Sequence, residues 1–329
     1  MKWLGRRGRG TRWALIVTAV SAALLVLDTG AIWFRLEREG AALSGSAAGG
    51  TTYLLIGSDE RVDVPDADRA GFGSSEDVPG ARADIVVLVR VDNDGSVRTL
   101  AVPRDLLIAR RGHGVGRLAM LLQYGPEGIA DALCSSLGIG VDHVVTLRFD
   151  GLRSLVDFAG GIDIRSDAVL VDRNSGIELQ KGSNHLDGAR AIAYVRARHL
   201  DELQPDGTST PATQRNLERS QRAAEVIDAT ARGLDVDWWN PVRVQQLAWT
   251  VSGAVAVDDG TGPFDLLGLR GAARNIDRAS LQVLPTTHTD GEIPVDELAP
   301  GAGDSIASFN GPGRSPIECR SPALELARR

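Results

Sequence analysis

The sequence predicts one α/β domain behind an apolar N-terminal segment. Strand-like apolar runs alternate with amphipathic, helix-periodic runs from residue 51 to about residue 300. Asn93–Asp94–Gly95 joins two of the strand-like runs, a strong hairpin signal. No internal repeat and no second linker divides the 329 residues, and a hydrophobic content of 43% is enough for a sizeable core.

Residues 1–12 hold Lys2, Arg6, Arg7, Arg9 and Arg12 and are expected to form a basic cytoplasmic tail. Residues 13–34, "WALIVTAVSAALLVLDTGAIWF", are apolar apart from Asp28 and small polar residues. A helix of about 20 such residues crosses a hydrocarbon core. Trp13 and Trp33 stand at its edges, where aromatic belts form, and the basic flank before it orients the N-terminus to the cytoplasm. The alternative is a cleaved signal peptide, whose apolar region is shorter, about 7–15 residues. The longer run favours an uncleaved transmembrane anchor, with Asp28 close enough to the outer end to reach the interface. Residues 35–50, including "GAALSGSAAGG", read as a flexible linker.

Within residues 51–300, "TTYLLIGSDE" reads as a strand running into a turn, and residues 61–82 as a loop rich in Gly and Pro. "ADIVVLVRVD" and "SVRTLAVPRD" are the hairpin strands. "GPEGIADALCSSLG" reads as a helix, "VDHVVTLRFDG" as a strand and "LRSLVDFAGG" as a helix. Asp187 is placed to cap the short helix "GARAIAYV". Residues 200–213 read as a loop, "QRNLERSQRAAEVIDATARG" and "PVRVQQLAWTVSGA" as helices, and "SLQVLP" as a strand. Residues 301–329 are expected to form a loosely ordered tail. Cys134 and Cys319 are either one bridge, which an extracytoplasmic domain permits, or two separate buried thiols.

The formal net charge is -7, divided as +4 over residues 1–40 and -11 over the remainder. An acidic body does not bind nucleic acid by bulk electrostatics. Lys2 and Lys181 are the sole lysines, so the positive charge is almost all guanidinium. No phosphate-binding P-loop, H-E-x-x-H pair or G-x-S-x-G elbow occurs, and neither cysteine has a partner at metal-ligand spacing. Those absences leave little support for a hydrolase with a Ser or Cys nucleophile.

What recurs instead is carboxylate plus guanidinium at strand ends. Asp59 and Arg61 follow the first strand, Arg82 and Asp84 precede the next, and Arg104 and Asp105 follow the third. Arg196 and Arg198 close "AYVRAR", and Arg219 and Arg222 stand three apart on a helix, hence on one face. Any one pair is equally a solvated surface ion pair. Together they suit a phosphate ester or pyrophosphate, because guanidinium binds phosphate bidentately and carboxylates with phosphate oxygens hold Mg²⁺.

The segments "LLIGSDER", "ARADIVVLV", "LAVPRDLLI", "VDHVVTLRFDGLRSLVDFAGGIDI", "LDGARAIAYVRAR" and "NLERSQRAAEVI" run in one order from about Tyr53 to Val226. In this the chain resembles the LytR-CpsA-Psr family of bacterial membrane-anchored glycopolymer transferases. The resemblance implies a single extracytoplasmic domain with a central mixed β-sheet flanked by helices, preceded by one transmembrane helix. It implies transfer of a glycopolymer, with a phosphate, from a polyprenyl-pyrophosphate carrier to peptidoglycan, at the cell membrane. It implies Mg²⁺ (or Mn²⁺) on Asp59 and Asp84, and a pyrophosphate gripped by Arg82, Arg104, Arg196, Arg198, Arg219 and Arg222. It also implies an apolar pocket for the lipid between sheet and helices. Breaking a pyrophosphate spreads charge over the transferred and leaving oxygens, so positioning and electrostatics do most of the work. Asp105 is the candidate base for the acceptor hydroxyl, with a salt-bridged turn aspartate as its alternative.

The chain departs from the family pattern at several positions. Arg117–Leu118–Ala119 stands where the family has Lys-Ile-Asn-like residues. The last motif reads Asn216, Arg219, Arg222 and Ala223 in place of Asp, Arg, Arg and Gln, and the Arg61–Gly80 stretch lengthens the gap between Asp59 and Asp84. These losses keep open a second class of function: a non-catalytic member that binds lipid-linked glycans or wall-synthesis partners as a scaffold. An extracytoplasmic signalling domain is a third, disfavoured because residues 1–12 are too few for a DNA-binding or kinase module.

Overall fold

The run Tyr53–Ile56 is apolar at four consecutive positions, the pattern of a strand covered on both faces. In a computed structural model of the chain, Gly50–Ser58 is the fourth of seven strands in a mixed sheet. The structure describes residues 28–46, 49–58, 81–110, 114–197, 200–204, 208–211, 219–234, 239–275, 281–289 and 295–311.

Gly50–Ser58 pairs antiparallel with Ala83–Asp92 and parallel with His143–Arg148. Ala83–Asp92 turns through Asn93–Gly95 into Val97–Ala101, the hairpin expected from the turn residues, and Leu281–Val283 adds in parallel beyond it. On the other side, His143–Arg148 pairs antiparallel with Val255–Asp258, which pairs in parallel with Glu37–Glu39. The last pairing corrects the linker expectation: three of its residues are an edge strand, whose "ERE" sequence carries no apolar alternation to announce it.

Period-two alternation sends Leu54, Ile56, Val86, Leu88 and Leu100 to one face, where they pack under the Pro126–Leu137 helix. Each fully buried leucine there contributes about 1.5–3 kcal/mol relative to exposure. Phe309 joins this core from the helix Ala302–Asn310. That helix corrects the expectation of a loose tail from residue 301 onward, because an aromatic ring buried in the core outweighs the low helix propensity of "AGDS". On the opposite face Tyr53 and Val89 pack with Ala272 of the Pro263–Asn275 helix.

A second core lies off one end of the sheet. It gathers the helices Phe149–Ala159, Gly188–Arg196 and Arg219–Gly233 on the short strands Ile162–Ser166, Leu170–Asp172, Ile177–Leu179 and Gly182–Leu186. Asp187 caps Gly188–Arg196 as expected, its carboxylate accepting from the Arg190 amide at 2.8 Å. Residues 200–213 depart from the loop expectation: Asp201–Leu203 and Ser209–Pro211 pair with each other, and Asp201–Leu203 also with Leu170–Asp172. The helices Phe149–Ala159 and Pro241–Ala254 approach closely at Gly151, where a Cβ would lie 2.1 Å from the Ala254 carbonyl oxygen. Any side chain there forces the helices apart.

Cys134 is disulfide-bonded; Cys319 lies outside the described residues. Residues 28–35 are helical, and residues 13–27 lie outside the described set. Among the described residues no helix is long and apolar enough to cross a membrane.

Candidate active site

The antiparallel register brings the end of Val97–Ala101 back beside the start of Ala83–Asp92, with the Val102 amide bonded to the Val86 carbonyl at 2.9 Å. The turn after Val102 therefore delivers Arg104 to Asp84. Arg104 Nη1 donates to Asp84 Oδ1 at 2.7 Å, and its Nε donates to Asp105 Oδ2 at 3.1 Å. Asp105 Oδ1 lies 3.6 Å from Arg117 Nη1. Asp84 is almost fully buried, whereas the Arg104 side chain remains 36% exposed.

The electrostatics follow from that geometry. Burial alone would lower the Arg104 pKa, but the Asp84 and Asp105 carboxylates outweigh it and raise it. The guanidinium is thus permanently charged, fixed in orientation by two carboxylates and half open to solvent. Both Asp105 oxygens face guanidinium groups, so the salt-bridged turn aspartate is the reading the geometry favours. Its carboxylate fixes the Arg104 fork. The pairing of Gly114–Arg117 with Leu107–Arg110 carries Arg117 back to Asp105, a relation between hairpin strands that sequence spacing did not show.

Arg82 is half-buried directly before the Ala83–Asp92 strand. The strand pair Gly50–Ser58 and Ala83–Asp92 shifts register at Gly57/Ser58, beside the site. Gly57 is tight there: a Cβ would meet the Ile85 side chain at 3.0 Å. Ile85, the residue after Asp84, packs against the second core, which includes Tyr194, Val195 and Ala197. The end of the Gly188–Arg196 helix belongs to that same core, with Arg196 half-buried as its last residue.

Arg222 requires a correction. It is 5% exposed, and it donates from Nε to the Tyr194 carbonyl at 3.2 Å and from Nη2 to the Ala197 carbonyl. These carbonyls lie at the C-terminal end of Gly188–Arg196, where helix carbonyls lack partners and the dipole is negative. Arg222 thus caps that helix rather than facing a pyrophosphate. Burial lowers its pKa. Burial, and then the neighbouring Glu225 carboxylate that accepts from the Tyr194 hydroxyl at 3.1 Å, raises that of Tyr194. Ala223 is buried in the second core and Ala119 in the first residues of a 3₁₀ turn, so neither position offers a polar side chain.

Asp59, Arg198 and Asn216 lie outside the described residues, as does the Arg219 side chain, although the Arg219 backbone opens the Arg219–Gly233 helix. Among the described residues no group of three or more His, Cys, Asp or Glu side chains forms a metal cage. Mg²⁺ does not need one: it keeps several waters and is commonly held by one or two carboxylates with substrate phosphates. Asp84 supplies one such carboxylate, and in that sense the donor set fits.

The family model described as the LytR_cpsA_psr family matches residues 34–235, more than half the chain. LcpB of Corynebacterium glutamicum, a probable cell wall biosynthesis protein, is 30% identical over 150 residues, covering 45% of this chain and 36% of its own length. TagT of Bacillus subtilis, a polyisoprenyl-teichoic acid–peptidoglycan teichoic acid transferase, is 31% identical over 186 residues, covering 54% and 51%. The chain thus spans about a third to a half of these relatives. A solved LytR-Csp2A-Psr enzyme from Actinomyces oris superposes with a TM-score of 0.66 at 31% identity, covering 86% of this chain and 97% of that one.

Proposed function

Because the chain belongs to the LytR_cpsA_psr family, we propose that it is a membrane-anchored transferase that moves a glycopolymer from a polyprenyl-pyrophosphate carrier to peptidoglycan. The observation that carries this reading is the Asp84–Arg104–Asp105–Arg117 chain of contacts, with the Arg104 guanidinium fixed by carboxylates yet open to solvent.

In this reading the acceptor hydroxyl oxygen attacks the phosphorus that bears the glycan. The bond from that phosphorus to the bridging oxygen breaks, and polyprenyl phosphate leaves while the hydroxyl proton passes to its departing oxygen or to water. Arg104 receives the charge that develops on the phosphoryl oxygens. Its fork is already set by Asp84 and Asp105, so little reorganisation is needed as the charge appears. Arg82, Arg196, Arg198 and Arg219 are the further guanidinium groups proposed to surround the pyrophosphate. Asp84, with Asp59, would hold Mg²⁺ (or Mn²⁺), which supplies neutralisation of phosphate charge when bound. Residues 13–34 anchor the chain in the cell membrane, with the N-terminus cytoplasmic and the domain outside.

The buried Ala119 and Ala223 favour one second reading, a scaffold that binds the lipid-linked glycan without turnover. Full-length protein incubated with a polyprenyl-pyrophosphoryl oligosaccharide, with and without Mg²⁺, separates the two. Metal-dependent release of polyprenyl phosphate, lost in Arg196→Ala and in Asp84→Ala, is expected. Tight binding of the lipid with no release supports the scaffold instead.

A further inference from the structure

Away from the site, one surface combines exposed apolar side chains with arginine. Trp239 is 73% and Val242 62% exposed at the start of the Pro241–Ala254 helix, and Phe34 is 90% exposed on the helical stretch 28–35. These two pieces touch. Trp249 Nε1 donates to Asp28 Oδ1 at 3.2 Å, and the Arg35 guanidinium lies 5.2 Å from the Trp249 ring centroid. One more guanidinium–aromatic pair sits alongside, Arg243 over Phe158 at 5.1 Å.

Tryptophan rings with arginine heads suit the membrane–water interface. The ring sits at headgroup depth, and the guanidinium reaches lipid phosphate while its stem stays in apolar contact. The position of the surface agrees with its composition. Glu37 stands opposite Ala256, at the same end of the sheet as the row Arg148–Ser58–Ala83, and Arg148 Nη2 pairs with Glu37 Oε2 at 2.7 Å. The apolar run 13–34 therefore meets the sheet at the end that holds Asp84. The Pro241–Ala254 helix feeds Val255–Asp258 at that same end. Phe264 is equally aromatic and 84% exposed, yet it begins the helix after Val255–Asp258 has carried the chain to the opposite end.

We propose that the surface formed by Trp239, Val242 and Trp249 is a second membrane contact, seated in the anionic headgroup layer beside the anchor. It turns the Asp84 end of the sheet toward the bilayer. The proposal rests on residues 13–34 acting as an anchor, which the test below separates from it.

Full-length protein is reconstituted into vesicles of phosphatidylcholine and phosphatidylglycerol. A nitroxide is placed on the single thiol introduced by Val242→Cys, by Trp239→Cys or by Phe264→Cys; no free cysteine competes among the described residues. Collision with oxygen and with a water-soluble nickel complex then reports depth. Labels at 242 and 239 are expected to be oxygen-accessible, nickel-shielded and about 5–10 Å below the surface, while the label at 264 stays in water. If the protein floats with the vesicles but the labels at 242 and 239 match that at 264, the surface proposal fails and the anchor stands. If the protein does not float, or alkaline carbonate strips it from the vesicles, the anchor reading fails and takes the proposal with it. Nickel shielding at 242 already present in lipid-free micelle-exchanged protein would mean that protein covers the surface, which also overturns the proposal.

Discussion

The two ends of the central sheet use similar charged residues to opposite effect. At one end Arg104 is held by Asp84 and Asp105 yet keeps a third of its surface open. At the other, His143 is enclosed. Its ring stacks on Tyr53 with centroids 5.4 Å apart, its Nδ1 meets the Thr261 hydroxyl at 3.0 Å, and it lies 3.7 Å from Asp258 and 3.5 Å from Asp265. Asp258 in turn accepts the Val144 amide at 2.8 Å, the Gly260 amide at 2.9 Å and the Thr261 hydroxyl. At the far end the partners close on each other and tie strands His143–Arg148 and Val255–Asp258 to the Pro263–Asn275 helix. At the near end the carboxylates orient a guanidinium that still faces outward. Charge that is satisfied internally holds a fold together, whereas charge that is fixed but left open can meet a substrate.

Breaking the open end should cost activity and little stability. Arg104→Ala is expected to lower turnover of the lipid-linked donor by roughly 10²–10³-fold, the usual loss on removing one preorganised electrostatic donor. Steady-state release of polyprenyl phosphate checks it, with a urea midpoint close to that of the unaltered protein. Retained turnover would remove Arg104 from the site.

Breaking a closed pair should do the reverse. Asp258→Asn removes the acceptor charge for buried partners and is expected to destabilise the protein by about 1–3 kcal/mol, read from urea unfolding, with turnover per folded molecule unchanged. Arg222→Met sharpens the comparison, because Arg222 is closed yet lies near the active end. It removes the Arg222 donor from the Ala197 carbonyl and the shorter of two donors from the Tyr194 carbonyl, so a loss of about 1–3 kcal/mol is expected. A reduced affinity for the donor should accompany it, as the end of the Arg196-bearing helix loosens. A pyrophosphate contact would instead reduce turnover without altering the urea midpoint.

The smallest effect is the pH dependence of the closed end. Asp258 first raises the His143 pKa above 6.5, against the lowering by burial, and Asp265 adds to it. Burial raises the Asp258 pKa, but hydrogen bonding from His143, Thr261 and the Val144 amide overcomes this and holds it at about 2. A raised histidine contributes stability that is complete below its unfolded value and is lost as pH rises through the folded value. A depressed aspartate contributes stability that is complete above its unfolded value of 3.8 and is lost as pH falls toward 2. The cluster is therefore strongest between 3.8 and 6.5. Thermal melts should show the midpoint falling as pH passes above 6.5 in the unaltered protein and less so in His143→Gln. Parallel curves for the two would mean that His143 contributes nothing.

Much of the fold was legible in the order of residues wherever its chemistry is local. The Asn93–Gly95 turn, the Asp187 cap and the apolar alternation of residues 83–92 each depend on neighbours within a few positions. Arg82, Asp84, Arg104 and Asp105 stood out because carboxylate and guanidinium recur where apolar runs stop. Their partners were not legible: whether Arg104 meets Asp84, and Asp105 meets Arg117, depends on strand register, which links residues 20 and 12 positions apart. The partners of Arg222 were hidden for the same reason, since helical spacing shows which side chains share a face but not what that face meets.

The long-range pairings mark the same boundary elsewhere. Glu37–Glu39 has no strand pattern and becomes an edge strand because Val255–Asp258 offers it an unpaired parallel edge. Asp201–Leu203 and Ser209–Pro211 look like loop and pair because Leu170–Asp172 lies beside them. Ala302–Asn310 is helical because Phe309 finds the core. Turn chemistry, caps and apolar period are set by φ/ψ preferences and by which face a side chain leaves, so they can be read one segment at a time. Sheet edges, buried ion partners and the identity of a site's neighbours arise when distant segments exclude water together, and only the folded arrangement decides them.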